Sequence, residues 1–426
     1  ISLSSPKDEL TYNPNANYYT TQIVFDQSGN ITNASANMLT ISNGLIFADP
    51  AMTTLIGIMP GLEQSQITIP STVKAITGYQ AAVVYKPADG SIVNPDFVAG
   101  QGLVIGNDQA LYDLGAVGAF QKPGTISAGA AGVGGAGQAP TMTPATGLST
   151  LTSINFASGS QLQTIGPKAF LGCSNLTSVS LPDTCNTIGA QAFQNCTNLQ
   201  TINLKGVQYI GDAAFNNAFI ASNNAIATSH PVSLNLSSAQ YLGVGAFDSS
   251  IWTSTASNHA TRAVNDSQSG TGTETKQLSK ISSVTFGSQL NTLSTYAFNG
   301  ANYLTSADLS NCTNLAKVSD NAFRNTQNLA SVKFSNTIDT IGENAFDGAN
   351  ALKSANFPSG LQTIGTAAFS GCPLTGAFNP ESTTLDIGQN AFDSSAFETI
   401  DFSKVTGNLT IGNSAFANNS ALKSIT

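Results

Sequence analysis

Two apolar phrases alternate from residue 149 to the end of the chain. One is Ala-Phe, ending at Phe170, Phe193, Phe215, Phe247, Phe298, Phe323, Phe346, Phe369, Phe392 and Phe416. The steps between these Phe are 23, 22, 32, 51, 25, 23, 23, 23 and 24 residues, so 32 and 51 read as one period plus inserted chain. The other phrase has the form Leu-x-x-Val-x-Leu, as at Leu176, Val179 and Leu181, or Leu329, Val332 and Phe334. Its last two apolar positions alternate with polar ones, which is the period of a half-buried strand. Each period therefore predicts a short strand, a turn often carrying Pro or Gly, and a return segment bearing Ile-Gly-x-x-Ala-Phe. One such coil cannot bury its own apolar face, whereas stacked coils bury a continuous core. The expected fold is a β-rich solenoid of about ten to eleven 23-residue coils, with a parallel sheet on its concave face and little regular helix. With strands about 4.8 Å apart, the stack extends about 50 Å.

The recurring letters suggest physical roles. Phe at a fixed place can stack on the Phe of the next coil as a spine, and the Ala beside it leaves room for neighbouring backbone. Gly after Ile points to a positive φ, although Ser294 and Ser319 stand there in two coils. Three residues after Phe come Cys173, Cys196 and Cys372, elsewhere Ser250, Ala301 or Thr326. Such a position selects for small buried side chains and makes the thiols structural.

The segment "LTSVSLPDTCNTIGAQAFQNCTNL", Leu176–Leu199, resembles the BspA-type leucine-rich repeat of bacterial and protozoan surface proteins, and the resemblance extends over about 149–426. Residues 44–76 resemble the variant repeat that opens such proteins: Ile67–Pro70, Val73 and Ile76 fit its strand and turn, but no Ala-Phe follows at the expected distance. The resemblance implies an α/β-type leucine-rich repeat solenoid, right-handed, displayed on a cell surface. It further implies binding of proteins, sometimes host matrix components, without catalysis.

Along the chain, residues 1–148 read as an N-terminal region. It holds a polar start with a hairpin at "IVFDQSGNITNA", degenerate or capping coils over 44–123, and a Gly/Ala/Pro linker or large loop at 124–147. Ala119-Phe120 is a candidate eleventh Ala-Phe. Residues 149–426 form the repeat array, interrupted near 217–230 and 251–278. Both insertions fall between a Phe and the next strand, so they should leave one edge in nearby coils. "ALKSIT" stops inside a strand, and a solenoid end of that kind is expected to be capped by further chain.

Composition sharpens the functional reading. Only 9% of residues are charged against 41% hydrophobic, so Ser, Thr, Asn and Gln carry solubility. A net charge of −9 without a Lys/Arg cluster argues against nucleic acid and anionic membranes. No apolar run reaches the roughly 18 residues of a membrane span, and "ISLSSPKDELTYN" has no signal-peptide pattern. The five cysteines form no CxxC pair, so neither a zinc site nor a disulfide framework is indicated. The surface suits an exported, monomeric protein with its leader removed, extracellular or at the cell surface.

No catalytic, metal or cofactor site emerges. Gly132, Gly134 and Gly137 spell GxGxxG, but Pro140 and Pro144 follow and the next acid is Asp183. Ser71 and Lys74 have no partner motif. His230 and His259 lie in the insertions, and the acidic residues are scattered, so an enzyme is not expected. The expected activity is binding of a host or matrix protein or another cell-surface macromolecule. Candidate contacts are Trp252 and His259 in the large insertion, and Asn203, Asn235 and Phe378 at outward positions of the strand face. Against this, Trp252 could simply pack its loop, and Ser/Thr/Asn ladders could simply solvate the sheet. The alternative functions are a passive spacer presenting another domain, and glycan binding along the Asn/Ser face.

Overall fold

A computed structural model of the chain describes residues 15, 19–32, 39–86, 102–106, 109–127, 141–253 and 273–426. The Leu-x-x-Val phrases form short front strands that pair in parallel from coil to coil. Gln66–Ile69, Ser153–Phe156, Ser178–Val179 and Thr201–Ile202 make one such sheet, and Ser306–Asp308, Ser331–Lys333 and Ser354–Ala355 another. The Thr-Ile of the return phrase forms a second strand in each coil. These return strands stack in parallel too, Thr164–Ile165 on Thr187–Ile188 and Thr340–Ile341 on Thr363–Ile364. The return strand is a Thr-Ile pair followed by Gly, with no alternating apolar partner, whereas the front phrase continues as Val-x-Leu, and so the sequence shows only the front strands. The one helix among the described residues is Asn224–Ser229.

The Phe spine is present. Successive rings from Phe120 to Phe416 stack with centroids 4.5–5.5 Å apart and planes within 9°. Each spine Phe N–H from Phe120 to Phe392 donates to the Ala carbonyl of the following coil, as Phe170 to Ala192 and Phe346 to Ala368, both at 2.7 Å. Backbone bonds thus join the coils at the front strands, the return strands and the spine. Around the spine, one apolar core runs continuously from Leu45 to Ala415.

The glycine after Ile has a different cause from the one its sequence position suggests. Gly342 and Gly365 are absent from the positive-φ residues. A Cβ on Gly365 would lie 2.6 Å from the Glu343 nitrogen and 2.7 Å from the Gly342 carbonyl carbon. Close approach of consecutive coils selects this glycine, and where Ser294 replaces it the N–H···O bond to Leu242 lengthens to 3.2 Å, against 2.8 Å at Gly342. The left-handed backbone comes two residues later, at Lys168, Gln191, Asn344 and Ala367, and again two residues after Phe, at Gly172, Asn195, Gly348 and Gly371. These paired positions turn the chain on either side of Ala-Phe. Gly365→Ala should therefore cost about 1–3 kcal/mol by overpacking. Chemical denaturation with an unchanged midpoint would show that the coils have slack to spare.

The opening coil is complete but interrupted twice. Gln66–Ile69 pairs with Ser153–Phe156, and Ala75–Ile76 with Thr164–Ile165. The chain then departs into an antiparallel pair, Gly78–Tyr85 with Gln109–Gly118, against which Gln22–Asp26 lies in parallel. It returns at Ala119-Phe120, where Ala119 N–H donates to Thr77 O at 2.9 Å and Phe120 stacks on Phe170 at 4.5 Å. The Ala-Phe that the sequence spacing lacked is thus delayed by residues 78–118 and still joins the spine. Leu148 N–H bonds Phe120 O, as Cys173 N–H bonds Phe170 O, so Leu148 takes the small-residue position. The Gly/Ala/Pro stretch between them is closed at its root by Gln121–Lys122 with Thr146–Gly147 and Ile126–Ser127 with Thr141–Met142. The expected hairpin near Phe25 is present as an antiparallel bridge from Phe25 to Ile31.

Candidate interaction surface

The two array insertions meet on one edge. The first contributes the strand Ile220–Ala221 and the helix Asn224–Ser229, capped by the Asn223 side chain, which accepts from Ile226 N at 2.9 Å. The second begins with Ile251–Thr253, which pairs antiparallel with Thr273–Thr275 and sets Trp252 opposite Glu274. It continues into Leu278–Ser279, which pairs antiparallel with Ile220–Ala221. The insertions are therefore clasped to each other as well as to the stack. Tyr303, from the next coil, donates its hydroxyl to Asn224 Oδ1 at 2.6 Å.

A polar network roots this unit in the solenoid flank. Buried Asp248 accepts from Trp252 Nε1 at 2.8 Å, Asn299 Nδ2 at 3.0 Å and Ser250 N at 2.9 Å. Glu274 accepts from Ser250 Oγ at 2.7 Å and Asn299 Nδ2 at 2.9 Å, and pairs with Arg324 at 2.7 Å. Burial raises the Glu274 carboxyl, but hydrogen bonds from Asn299, Arg324 and Ser250 outweigh it and hold it below the ordinary carboxylate range. Burial pushes Asp347 up, with Arg324 and Lys276 offsetting part of the rise. Because Glu274 is depressed, its contribution is present above its ordinary value of 4.5 and is lost as pH falls through its lower folded value. Asp347, shifted the other way, partly compensates in acid. Trp252 fluorescence should therefore change below about pH 4.5, and Glu274→Gln should flatten the transition. A midpoint above about pH 6 would assign the change to another group.

Trp252 is partly buried and packs edge-on against Tyr296 at 5.4 Å. His259 lies outside the described residues. His230 is exposed and terminates the helix, with Ser229 Oγ 2.8 Å from its Nδ1. Asn203 is exposed directly after the front strand Thr201–Ile202, yet its amide is committed to Leu181 O at 3.0 Å and Asp183 Oδ1 at 2.7 Å. Asn235 is exposed and accepts from Ser237 N at 3.0 Å.

Phe378 requires correction. It is 1% exposed and faces the core, in register with Ile400 and packed on Phe392 and Phe357, each at 5.0 Å. The inward position of this coil comes four residues after Leu374 where Val179 comes three after Leu176, and the pairing shift at Gly376–Ala377 leaves Glu398 of the following strand as the extra residue. Counting from the small-residue position places it correctly, since Phe378 lies six residues after Cys372 as Val179 lies six after Cys173. The front face thereby loses the single aromatic assigned to it.

Asp248, Asn299, Arg324 and Glu274 were not singled out by sequence reasoning. The signal for three of them was available: each directly follows a spine Phe, in three consecutive coils. The thiols behave as expected of small buried groups. Cys196 and Cys372 donate to the Phe carbonyl of the preceding coil at 3.2 and 3.1 Å, and burial pushes Cys173 and Cys185 up to about 12.

Stacked coils with parallel front strands and a continuous apolar core define a leucine-rich repeat solenoid. The description "BspA type Leucine rich repeat region" matches residues 146–252, 274–396 and 351–426 in six copies, and the chain belongs to that family. The matched segments stop and restart at the second insertion. No curated protein matches the chain. Solved structures that resemble it include a leucine-rich cell surface protein from Faecalibacterium prausnitzii, 18% identical, covering 92% of this chain and 95% of that one with a TM-score of 0.32. The pneumococcal vaccine antigen PcpA is 15% identical over 91% and 86% of the two chains, with a TM-score of 0.38. A leucine-rich repeat protein from Bacteroides ovatus is 17% identical over 91% and 93%, with a TM-score of 0.23.

Proposed function

We propose that this chain is a non-enzymatic, secreted or cell-surface protein that binds a macromolecular partner, a host or matrix protein or another surface macromolecule, at the edge where its two insertions meet. The observation that carries this reading is the clasp of Ile220–Ala221 with Leu278–Ser279, which makes one unit of two segments far apart in sequence. Loops held on a rigid scaffold are where recognition concentrates, and this pair is held by the Asp248–Glu274–Arg324 network. The front face offers less, because Phe378 is buried and the Asn203 amide is occupied by the neighbouring coil. A low charge fraction of 9% and family membership support export. Among the described residues no helix is long and apolar enough to cross a membrane.

The test replaces residues 254–272 with a short turn, leaving both root strands in place. The solenoid should remain folded, because its stacking contacts lie between coils. Binding to a panel of matrix proteins and whole cells should fall at least about tenfold. Binding that survives this replacement but is lost in Asn203→Ala/Asn235→Ala would move the site to the front face. An intact chain that binds none of the panel would be a spacer.

A further inference from the structure

Both ladders stop between the coil that ends at Phe298 and the coil that ends at Phe323. The front strands Ile281–Phe286 and Ser306–Asp308 belong to different sheets, and so do the return strands Thr292–Leu293 and Lys317–Val318. The front ladder is also interrupted after Ile202 and after Ala355, but there the return strands still pair, Tyr209 with Tyr241 and Thr363 with Asp386. Among the described residues, the step from Phe298 to Phe323 alone lacks both. Three of its backbone bonds are those of the spine: Tyr296 N to Asp320 O at 3.2 Å, and Phe298 N to Ala322 O and Gly300 N to Arg324 O at 2.8 Å. Asn328 N adds one to Asn302 O at 3.3 Å. The rings of Phe298 and Phe323 are the most widely spaced pair in the spine, at 5.5 Å.

The sequence supplies the cause. The place after the return-strand Ile has no room for a side chain: a Cβ on Gly342 would stand 2.6 Å from the Asp320 nitrogen and 2.8 Å from the Ser319 carbonyl carbon. At this step alone, serine holds that place in both coils, Ser294 and Ser319. By the same register the Ser319 Cβ faces the Ser294–Thr295 peptide and holds the coils apart. Gly342 N reaches Val318 O at 2.8 Å, whereas Ser319 N makes no such bond to Leu293 O.

The second insertion bridges the gap from outside. Glu274, on its returning root strand, is fixed to the near side by Ser250 Oγ at 2.7 Å and Asn299 Nδ2 at 2.9 Å, and reaches across to Arg324 Nη1 at 2.7 Å. Lys276 Nζ, two residues on, donates to Asn325 Oδ1 at 3.5 Å. Asparagine rungs cross as well, Asn328 Nδ2 to Asn302 O and Asn314 Nδ2 to Ser288 O, at 2.6 and 3.1 Å. The first of these recurs at other steps, as Asn198 Nδ2 to Ser174 O, whereas the carboxylate–guanidinium pair belongs to this one.

We propose that the solenoid is jointed at this step, with the Phe spine as pivot, and that Glu274–Arg324 is a latch through which the second insertion sets the angle between the coils up to Phe298 and those from Phe323 onward. Domain motion of this kind concentrates where few bonds must change. The joint is a property of the free chain, so its test is independent of any partner at the insertion edge.

The experiment places nitroxide pairs on introduced cysteines of the whole chain, since the five native thiols are buried and escape labelling. Thr292→Cys/Asp386→Cys spans the joint, and Lys317→Cys/Thr410→Cys lies wholly beyond it, in the same return-strand column. Each pair is four coil steps apart, about 19 Å. Dipolar spectroscopy should give the first pair a distance distribution at least about twice as wide as the second. Adding Glu274→Gln should widen it further, and so should Arg324→Gln, which leaves Ser250 and Asn299 on Glu274. Ser294→Gly/Ser319→Gly should narrow it to the control. Hydrogen exchange at the Ser319 amide should be about tenfold or more faster than at the Gly342 amide, and residue 319 should become protected in the double glycine variant. Equal widths for the two pairs, a width unmoved by loss of Glu274 or Arg324, or a Ser319 amide as protected as that of Gly342 would each overturn the proposal.

Discussion

Phe346→Ala should destabilise the protein by about 3–5 kcal/mol, as expected for truncating a buried aromatic. Phe346 is 0% exposed and its ring lies between Phe323 at 5.3 Å and Phe369 at 5.1 Å, with Phe334 edge-on at 5.8 Å. Removing it opens a void in the middle of the spine, and the two flanking rings cannot close it without breaking the Phe346–Ala368 and Phe323–Ala345 backbone bonds. Because each coil contacts only its neighbours, the damage should be local. Hydrogen exchange should quicken most in residues of the coils on either side and least near Phe170. A uniform rise along the whole chain would mean that the array unfolds as a single cooperative unit and would contradict nearest-neighbour stacking.

Asp248→Ala should cost about 3 kcal/mol or more, because it strands buried donors that have no water to turn to. Its carboxylate serves Trp252 Nε1, Asn299 Nδ2 and Ser250 N together. Asp248→Asn keeps one oxygen and should lose markedly less. Trp252 is the single tryptophan of the chain, so its emission reports on this root alone. In the Ala variant it should shift to the red at denaturant concentrations where far-ultraviolet dichroism still shows intact strands. Coincident transitions by the two probes would show that the insertions are no less stable than the solenoid they stand on.

The solenoid was legible because its signal is repeated. A strand phrase and an Ala-Phe that recur at one period constrain each other, and chance departures in single coils do not hide the pattern. Features carried by one coil were harder to read. Phe378 was assigned outward because Ala377 was taken as the central apolar residue of its strand, whereas the six-residue count from Cys372 gives that place to Phe378. The glycine after Ile was given a φ requirement, since sequence shows the residue but not how closely the next coil approaches. The opening coil looked incomplete because its Ala-Phe waits behind residues 78–118, and no local period bridges such a gap. The two insertions were read from where the period breaks. The clasp between Ile220 and Ser279 was not legible, because it pairs two short segments with no shared motif.

Tension applied between the two ends of the stack would load the inter-coil backbone bonds lengthwise, one ladder after another, instead of shearing many at once. The chain should then yield by peeling single coils from an end. Each ordinary period of 23 residues would release about 80 Å of contour. The clasped coils behave differently, since Ile220–Ala221 and Leu278–Ser279 tie the first insertion to the end of the second. That region should resist as a block and let go in one larger step, giving a force trace of small even teeth interrupted by a single tall one.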